Sequence, residues 1–343
     1  MVIHRVNPAP LVLGVSGFGN LLRGTAPMVE NPSENGSSGE PAEITVGAAL
    51  DSILNLFEND ELFFGHGTDN AWDESVALVL HAAGLAADAG DEVLEIELRP
   101  DQWARIQELA KRRAEERIPL PYLLGRAWFA GLPFLCDSRA IVPRSPLAEV
   151  ITHEFKPWWG GESLTSVLDL CCGGGCIGIA AAVYNPEVTV TLADLDTDAL
   201  ALARENVAEH SVERRVRLVE SDLFEAFSPQ RFDVILCNPP YVNARDLKSM
   251  PDEYRFEPAQ ALGSGDDGLQ LARSILAVAA EFLNEGGVLF LELGNSWVEL
   301  DAELSQYPLC WLELAEGGHG VLVCDRSQLL TLAAHYNRSS IKP

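Results

Sequence analysis

The stretch Val167-Leu-Asp-Leu-Cys-Cys-Gly-Gly-Gly-Cys-Ile-Gly178 sets the fold class. Its apolar start reads as a buried strand, its glycines take the chain through a turn, and the residues that follow open a helix. Such a turn lets backbone approach a nucleotide-like ligand closely, because no Cβ intervenes and the first helical N–H groups point outward. Alone, the motif is weak. It departs from G-x-G-x-x-G by placing Cys171 at the usual first glycine, which argues against a pyrophosphate cofactor.

Downstream the alternation continues. The spacing predicts strands at Ser166 to Cys171, Val188 to Asp194, Val216 to Ser221, Phe232 to Cys237, Gly287 to Gly294, Trp311 to Ala315 and Gly320 to Asp325. Helical patterns run over Ile177 to Tyr184, Thr197 to Glu209 and Gly268 to Leu283, which makes a doubly wound α/β sheet of seven strands. Only Glu316 to His319 separates the last two strands, too little for a helical crossover, so they are expected as an antiparallel hairpin at one sheet edge.

Upstream, Tyr122 to Cys136 turns apolar with glycine breaks and reads as a hairpin leading into Ile141-Val-Pro-Arg-Ser-Pro-Leu-Ala-Glu149. Val46, Leu50, Ile53, Leu54 and Phe57 have the spacing of an amphipathic helix, and a second helix fits Trp72 to Ala83. A third runs from Pro100 to Glu116, with Asp101 as its expected cap and a basic end at Lys111-Arg112-Arg113 favoured by the helix dipole. Residues 1 to 43 hold Pro, Gly, Asn and Ser without apolar periodicity and read as a disordered extension.

Composition bounds the function. The 343 residues suit two folded units plus a tail, at about 150 residues per domain. Hydrophobic residues at 47% and charged residues at 22% fit a soluble globular chain, and no apolar run is long enough for a membrane span or a signal peptide, so the expected location is cytoplasmic. A net charge of −27 repels polyphosphate and makes duplex DNA or bare RNA a poor partner. The same field would draw in a basic protein, or it serves solubility or salt tolerance; both readings stand. The seven cysteines are scattered like reduced thiols. Cys171, Cys172 and Cys176 lack a second ligand pair at zinc spacing, so no metal is expected.

Ligands of open α/β sheets bind at the carboxyl ends of the strands. Asp194 ends the second strand, where an acid can take two ribose hydroxyls, although Asp194 or Asp196 could also simply cap the next helix. After the third strand, Asp222 could accept from an adenine amine while Leu223 packs on its ring; a turn-forming Asp is the competing reading. The sharpest signal is Asn238-Pro-Pro-Tyr241 after the fourth strand. Two prolines stop the ladder and stiffen the turn, so Asn238 is held in one direction. Its amide both donates and accepts, matching a planar amide or an exocyclic amine; the Pro239 carbonyl adds an acceptor, and the Tyr241 face can stack on the planar group.

Asp169-Leu-Cys-Cys-Gly-Gly-Gly175, Asp194, Ser221-Asp222 and Asn238-Pro-Pro-Tyr241 resemble the ordered motifs of class I S-adenosylmethionine-dependent methyltransferases acting on planar nitrogen. Phe64-Gly-His-Gly-Thr-Asp-Asn-Ala-Trp-Asp-Glu74, Pro121 to Pro133 and Val142-Pro-Arg-Ser-Pro146 resemble the glutamine N5-methyltransferases, over about residues 45 to 330. Release-factor enzymes usually carry Pro-Arg-Pro-(Asp/Glu)-Thr-Glu in the linker, whereas this chain has Pro143-Arg-Ser-Pro-Leu-Ala-Glu149, closer to the PrmB branch, whose implied substrate is a glutamine of a large-subunit ribosomal protein.

The resemblance implies a Rossmann-like methyltransferase domain over 163–335, a hairpin and linker over 126–162 and a helical substrate-recognition domain over 44–125. It implies S-adenosylmethionine held by Asp169, Cys171, Cys172, Gly173, Gly174, Gly175, Asp194, Asp222, Leu223 and Asn238. It further implies a glutamine amide held by Asn238, Pro239, Pro240 and Tyr241, with a basic ribosomal protein or a ribosome-assembly intermediate as partner. Gly174 and Cys172 depart from a common Ser and Thr, which removes hydroxyls that would support one cofactor hydrogen bond. A release-factor substrate is the alternative within the family, and a nucleic-acid amine the more remote one, which would need a basic track the chain lacks beyond Lys111-Arg-Arg113 and Arg214-Arg215.

Overall fold

The computed structural model describes residues 44–161, 163–315 and 317–339, so the extension expected over residues 1 to 43 lies outside them. The chain divides between Leu120 and Pro121 into two compact units.

In the first unit β1 (Ile44–Thr45) leads into α1 (Val46–Asn59), followed by α2 (Ala71–Ala83), β2 (Glu97–Leu98) and α3 (Pro100–Glu116). β1 and β2 pair antiparallel. The Thr45 hydroxyl caps α1 at the Ala48 amide, and the apolar stripe Val46, Leu50, Ile53 and Phe57 is buried as its spacing requires. Two expectations fail in α3. Pro100 occupies the first helical position, so Asp101 falls inside the helix and pairs with the Arg99 side chain at 3.0 Å instead of capping. Arg113 does not join a basic surface run: it is 2% exposed, and its guanidinium donates to Glu74 Oε1 at 2.8 Å and to the Phe63 carbonyl at 2.8 Å. A buried cation takes such a position only when paired and hydrogen-bonded.

The boundary falls at the first residue of α4 (Leu120–Leu124), and the second unit continues with the hairpin β3 (Arg126–Phe129) and β4 (Leu132–Leu135), and α5 (Leu147–Thr152). Then follow β5 (Ser166–Leu170), α6 (Cys176–Tyr184), β6 (Thr189–Asp194), α7 (Thr197–Glu209), β7 (Val216–Glu220) and β8 (Phe232–Cys237). α8 (Ala244–Ser249), α9 (Gln270–Val278), β9 (Leu283–Glu292), α10 (Trp297–Glu303), β10 (Cys310–Trp311), β11 (Val321–Asp325) and α11 (Arg326–Ser339) complete it. The seven-stranded sheet has the order β10-β11-β9-β8-β5-β6-β7, with β11 antiparallel to both neighbours and the other pairs parallel. Strand alternation splits the core. Val234 and Leu236 pack on one face with Ile179, Ala180 and Phe290, while Ile235 and Cys237 pack on the other with Ile275, Leu276 and Leu329.

Boundaries moved where glycines intervene. Gly268 has φ +79°, outside the helical region, so the helix expected from Gly268 starts at Gln270; it tightens into a 3₁₀ turn over Ala279–Phe282, and β9 begins four residues before Gly287. The edge strand expected at Trp311 to Ala315 is only Cys310–Trp311, because Gly317, Gly318 and Gly320 all have positive φ and turn the chain before β11. The sheet order reverses at β5, which places the crevice for ligands beyond the ends of β5 and β8.

Candidate active site

The turn after β5 is shaped for close approach. Cys171, Gly173 and Gly175 adopt φ of +61°, +53° and +82°, so Cys171 stands left-handed where glycine is the easy choice. Asp194, at the end of β6, holds the turn by accepting from the Gly173 amide at 2.8 Å, and its other oxygen accepts from the Asp196 amide at 2.9 Å. Burial raises the Asp194 carboxyl above the usual carboxylate range despite these amides. The helix-capping role falls to Asp196, whose carboxylate accepts from Asp198 and Ala199. Behind the turn, Asp169 is fully buried; its Oδ2 accepts from the Gly178 amide at 2.7 Å and its Oδ1 has no partner. Burial pushes that carboxyl up to about 8.

Two cavities meet at this end of the sheet. The first, about 410 Å³, is lined by Cys171, Gly173, Asp194, Asp222, Leu223 and Asn238, with Pro240 also on its wall. Of the residues expected around a cofactor, Asp169, Cys172, Gly174 and Gly175 lie outside this lining. Asn206 fastens the back of the turn by donating to the Gly174 carbonyl at 2.9 Å. Leu223 has φ +45°, and its carbonyl accepts from the Ser221 hydroxyl at 2.8 Å. Strained non-glycine backbone at Cys171 and Leu223 thus borders one cavity, where such strain commonly accompanies ligand binding.

The second cavity, about 320 Å³, is lined by Asn238, Pro239, Tyr241, Arg144, Glu292 and His319 among others. Asn238 lines both. Neither its side-chain amide nor the Pro239 carbonyl is taken by a hydrogen bond to another described residue. Tyr241 is fixed at three points: its amide donates to the Leu262 carbonyl at 3.1 Å, its carbonyl accepts from the Ser296 hydroxyl at 2.7 Å, and its hydroxyl donates to Glu292 Oε1 at 3.2 Å. The sequence reading missed the surroundings of this tyrosine. Ser145 donates to Glu292 Oε2 at 2.5 Å, and Arg144 makes a bidentate pair with Glu257. The signal for Glu292 was present as one acid in the apolar run Val288-Leu-Phe-Leu-Glu-Leu293.

A family model of the methyltransferase small domain matches residues 161–262. Over 280 residues the chain is 45% identical to the ribosomal protein uL3 glutamine methyltransferase of Francisella tularensis, covering 81% of this chain and 89% of that relative. The chain belongs to the ribosomal protein uL3 glutamine methyltransferase family. The Bordetella pertussis enzyme of that name is 43% identical over 268 residues (78% of this chain, 90% of the relative), and that of Xanthomonas campestris 43% identical over 300 residues (85% and 97%). The seven-stranded sheet is therefore that of a class I methyltransferase with a helical unit before it, as expected. The alignment of 280 residues is longer than the sheet unit, Pro121–Pro343, so it extends into the unit before it. Among the described residues no group of three His, Cys, Asp or Glu side chains could hold a metal ion, and no helix is long and apolar enough to cross a membrane.

Proposed function

We propose that this methyltransferase moves a methyl group from S-adenosylmethionine to the side-chain N5 of a glutamine in ribosomal protein uL3, giving N5-methylglutamine. The observation that carries the reading is Asn238 on the wall common to both cavities, its amide not engaged by any other described residue. A group there can touch donor and acceptor together.

The first cavity fits the cofactor in volume and in donor set: about 410 Å³ lies within the range of small-molecule sites, with the carboxylates of Asp194, Asp196 and Asp222 and a strained turn on its wall. When bound there, S-adenosylmethionine supplies an electrophilic sulfonium methyl. Asp194 would take the ribose hydroxyls, Asp222 the adenine amine, and Leu223 would pack beside the ring, while Asp169 keeps the Cys171 to Gly175 turn in place through Gly178. In the second cavity Asn238 Oδ1 and the Pro239 carbonyl would accept the two hydrogens of the glutamine amide, and Tyr241 would hold its plane. An amide nitrogen is a poor nucleophile because its lone pair is delocalised, so orientation and stabilisation of the growing positive charge do most of the catalysis.

The net charge of −27 supports a basic partner, a free ribosomal protein or an assembly intermediate, in the cytoplasm, and disfavours nucleic acid. The names of the relatives favour uL3 over a release factor. Mass spectrometry of ribosomal proteins and release factors from cells with and without the gene tests this. Loss of one methyl from a uL3 glutamine is expected. Loss from release factors instead moves the substrate to the sister branch, and no loss from either overturns the proposal.

A further inference from the structure

Methylation of an amide releases one proton, and the groups proposed to hold the amide cannot keep it, because the oxygens of Asn238 and Pro239 accept hydrogen bonds but are not bases. Resting on the proposed reaction, we infer that Glu292 accepts the proton leaving the substrate nitrogen, with the Tyr241 hydroxyl as the relay between them.

The geometry singles out this carboxylate. Glu292 lines the same cavity as Asn238, Pro239 and Tyr241, is 4% exposed, and reaches the Tyr241 hydroxyl at 3.2 Å. The hydrogen bonds it receives come from neutral hydroxyls, those of Tyr241 and Ser145. Glu257, a second buried carboxylate nearby, is held in a bidentate pair by Arg144 and by the Val142 amide at 2.9 Å, so both of its oxygens are already engaged. In the transfer the methyl–sulfur bond breaks and the nitrogen–carbon bond forms. As the nitrogen gains the methyl group, one amide hydrogen leaves its Asn238 or Pro239 acceptor, its N–H bond breaks with the proton passing to the Tyr241 oxygen, and the tyrosine's own proton passes to Glu292 Oε1. Sulfonium and carboxylate charges disappear together, the thioether leaves neutral, and Tyr241 is regenerated.

Burial, opposed by the bonds from Ser145 and Tyr241 and by the charge of Arg144, pushes the Glu292 carboxyl up to about 7. A proton acceptor must be ionised, so turnover falls as pH drops through about 7. The charged or titratable groups around it are Tyr241 and Cys237 on β8 and the turn after it, Arg144 on the linker, and Asp246, Tyr254 and His319 on the walls of the same cavity. Burial raises both phenols and the thiol, and a guanidinium does not titrate in this range; replacing His319 tests the imidazole on the same wall separately.

The experiment measures kcat and KM against pH for the wild type, E292Q, S145A and H319Q, using purified uL3 from cells lacking the gene, with S-adenosylhomocysteine binding by calorimetry as the check on folding. E292Q is expected to lose kcat about 10²-fold and the acidic limb, with the KM for uL3 and the product affinity within about threefold. S145A, which removes a donor to the carboxylate, moves the limb to higher pH. A wild type that methylates uL3 beside an E292Q that retains kcat and limb overturns the role of Glu292 alone, as does a limb that disappears in H319Q and survives in E292Q. A wild type that leaves uL3 unmethylated overturns the substrate reading and this proposal with it.

Discussion

Replacing Gly294 with Ala should disable the second cavity while leaving the first intact. Gly294 sits at φ +45°, and a Cβ there would lie 2.5 Å from Tyr241 Cε2 and 2.9 Å from Cζ. Carbon atoms rest at about 3.5 Å or more, so the ring must retreat by about 1 Å. A displacement of that size in a positioned group costs about 10²-fold in rate. The left-handed backbone adds about 1–2 kcal/mol for a residue with a Cβ, which for a unit of this size lowers Tm by about 2–8 °C and leaves it folded. G294A should therefore show kcat down about 10²-fold, S-adenosylhomocysteine affinity unchanged and a modestly lower Tm. Gly286 supplies the control, since it has φ +78° but nothing within 4 Å of the position a Cβ would take. G286A should lose similar stability and keep its turnover. The assay is methylation of purified uL3 beside calorimetry and thermal unfolding of both variants. A G294A enzyme with kcat within threefold of wild type would refute the reasoning that Tyr241 must stay where it stands.

Asn238→Ala should lower kcat by about 10²-fold or more with little change in cofactor affinity, read from steady-state kinetics and calorimetry; full turnover would remove Asn238 from the mechanism. Asp169 makes stability pH-dependent: burial raises its folded carboxyl to about 8, against about 3.9 unfolded, so the unfolded chain binds fewer protons in between and stability declines as pH rises from about 4 to 8. Urea midpoints at pH 5 and pH 8 should differ less in D169N than in wild type, and equal differences would contradict the assignment. In the first unit, Arg113→Ala leaves Glu74 buried without its guanidinium and should cost about 3–5 kcal/mol. Hydrogen exchange over α1 to α3 checks this, and unchanged protection would show that the pair contributes little.

Much of the sheet unit is legible in the sequence because its signals are local. Strand period, the glycine turn at Cys171 to Gly175 and the stiff Asn238-Pro-Pro-Tyr241 segment each act within a few residues, and β8 and α7 fall where their spacing puts them. Two of the failures were local competitions as well, and a third was not. Pro100 took the helix start that Asp101 was expected to cap, and positive φ at Gly268 shortened α9. Arg113 reads as one more surface cation until Glu74, 39 residues earlier, is seen to bury it.

The sequence alone thus determined the fold class and the family, since the motifs behind each rest on short-range pattern. Only the tertiary structure decided that Asn238 borders two cavities at once, that Asp169 braces the glycine turn from behind, and that Ser145, Tyr241 and Glu292 form one network. Ser145 and Glu292 are 147 residues apart, and Tyr241 is 51 from Glu292. Contacts at such separations are set by strand order and register, which bring the ends of β8 and β9 side by side, and no local preference of the chain encodes that meeting.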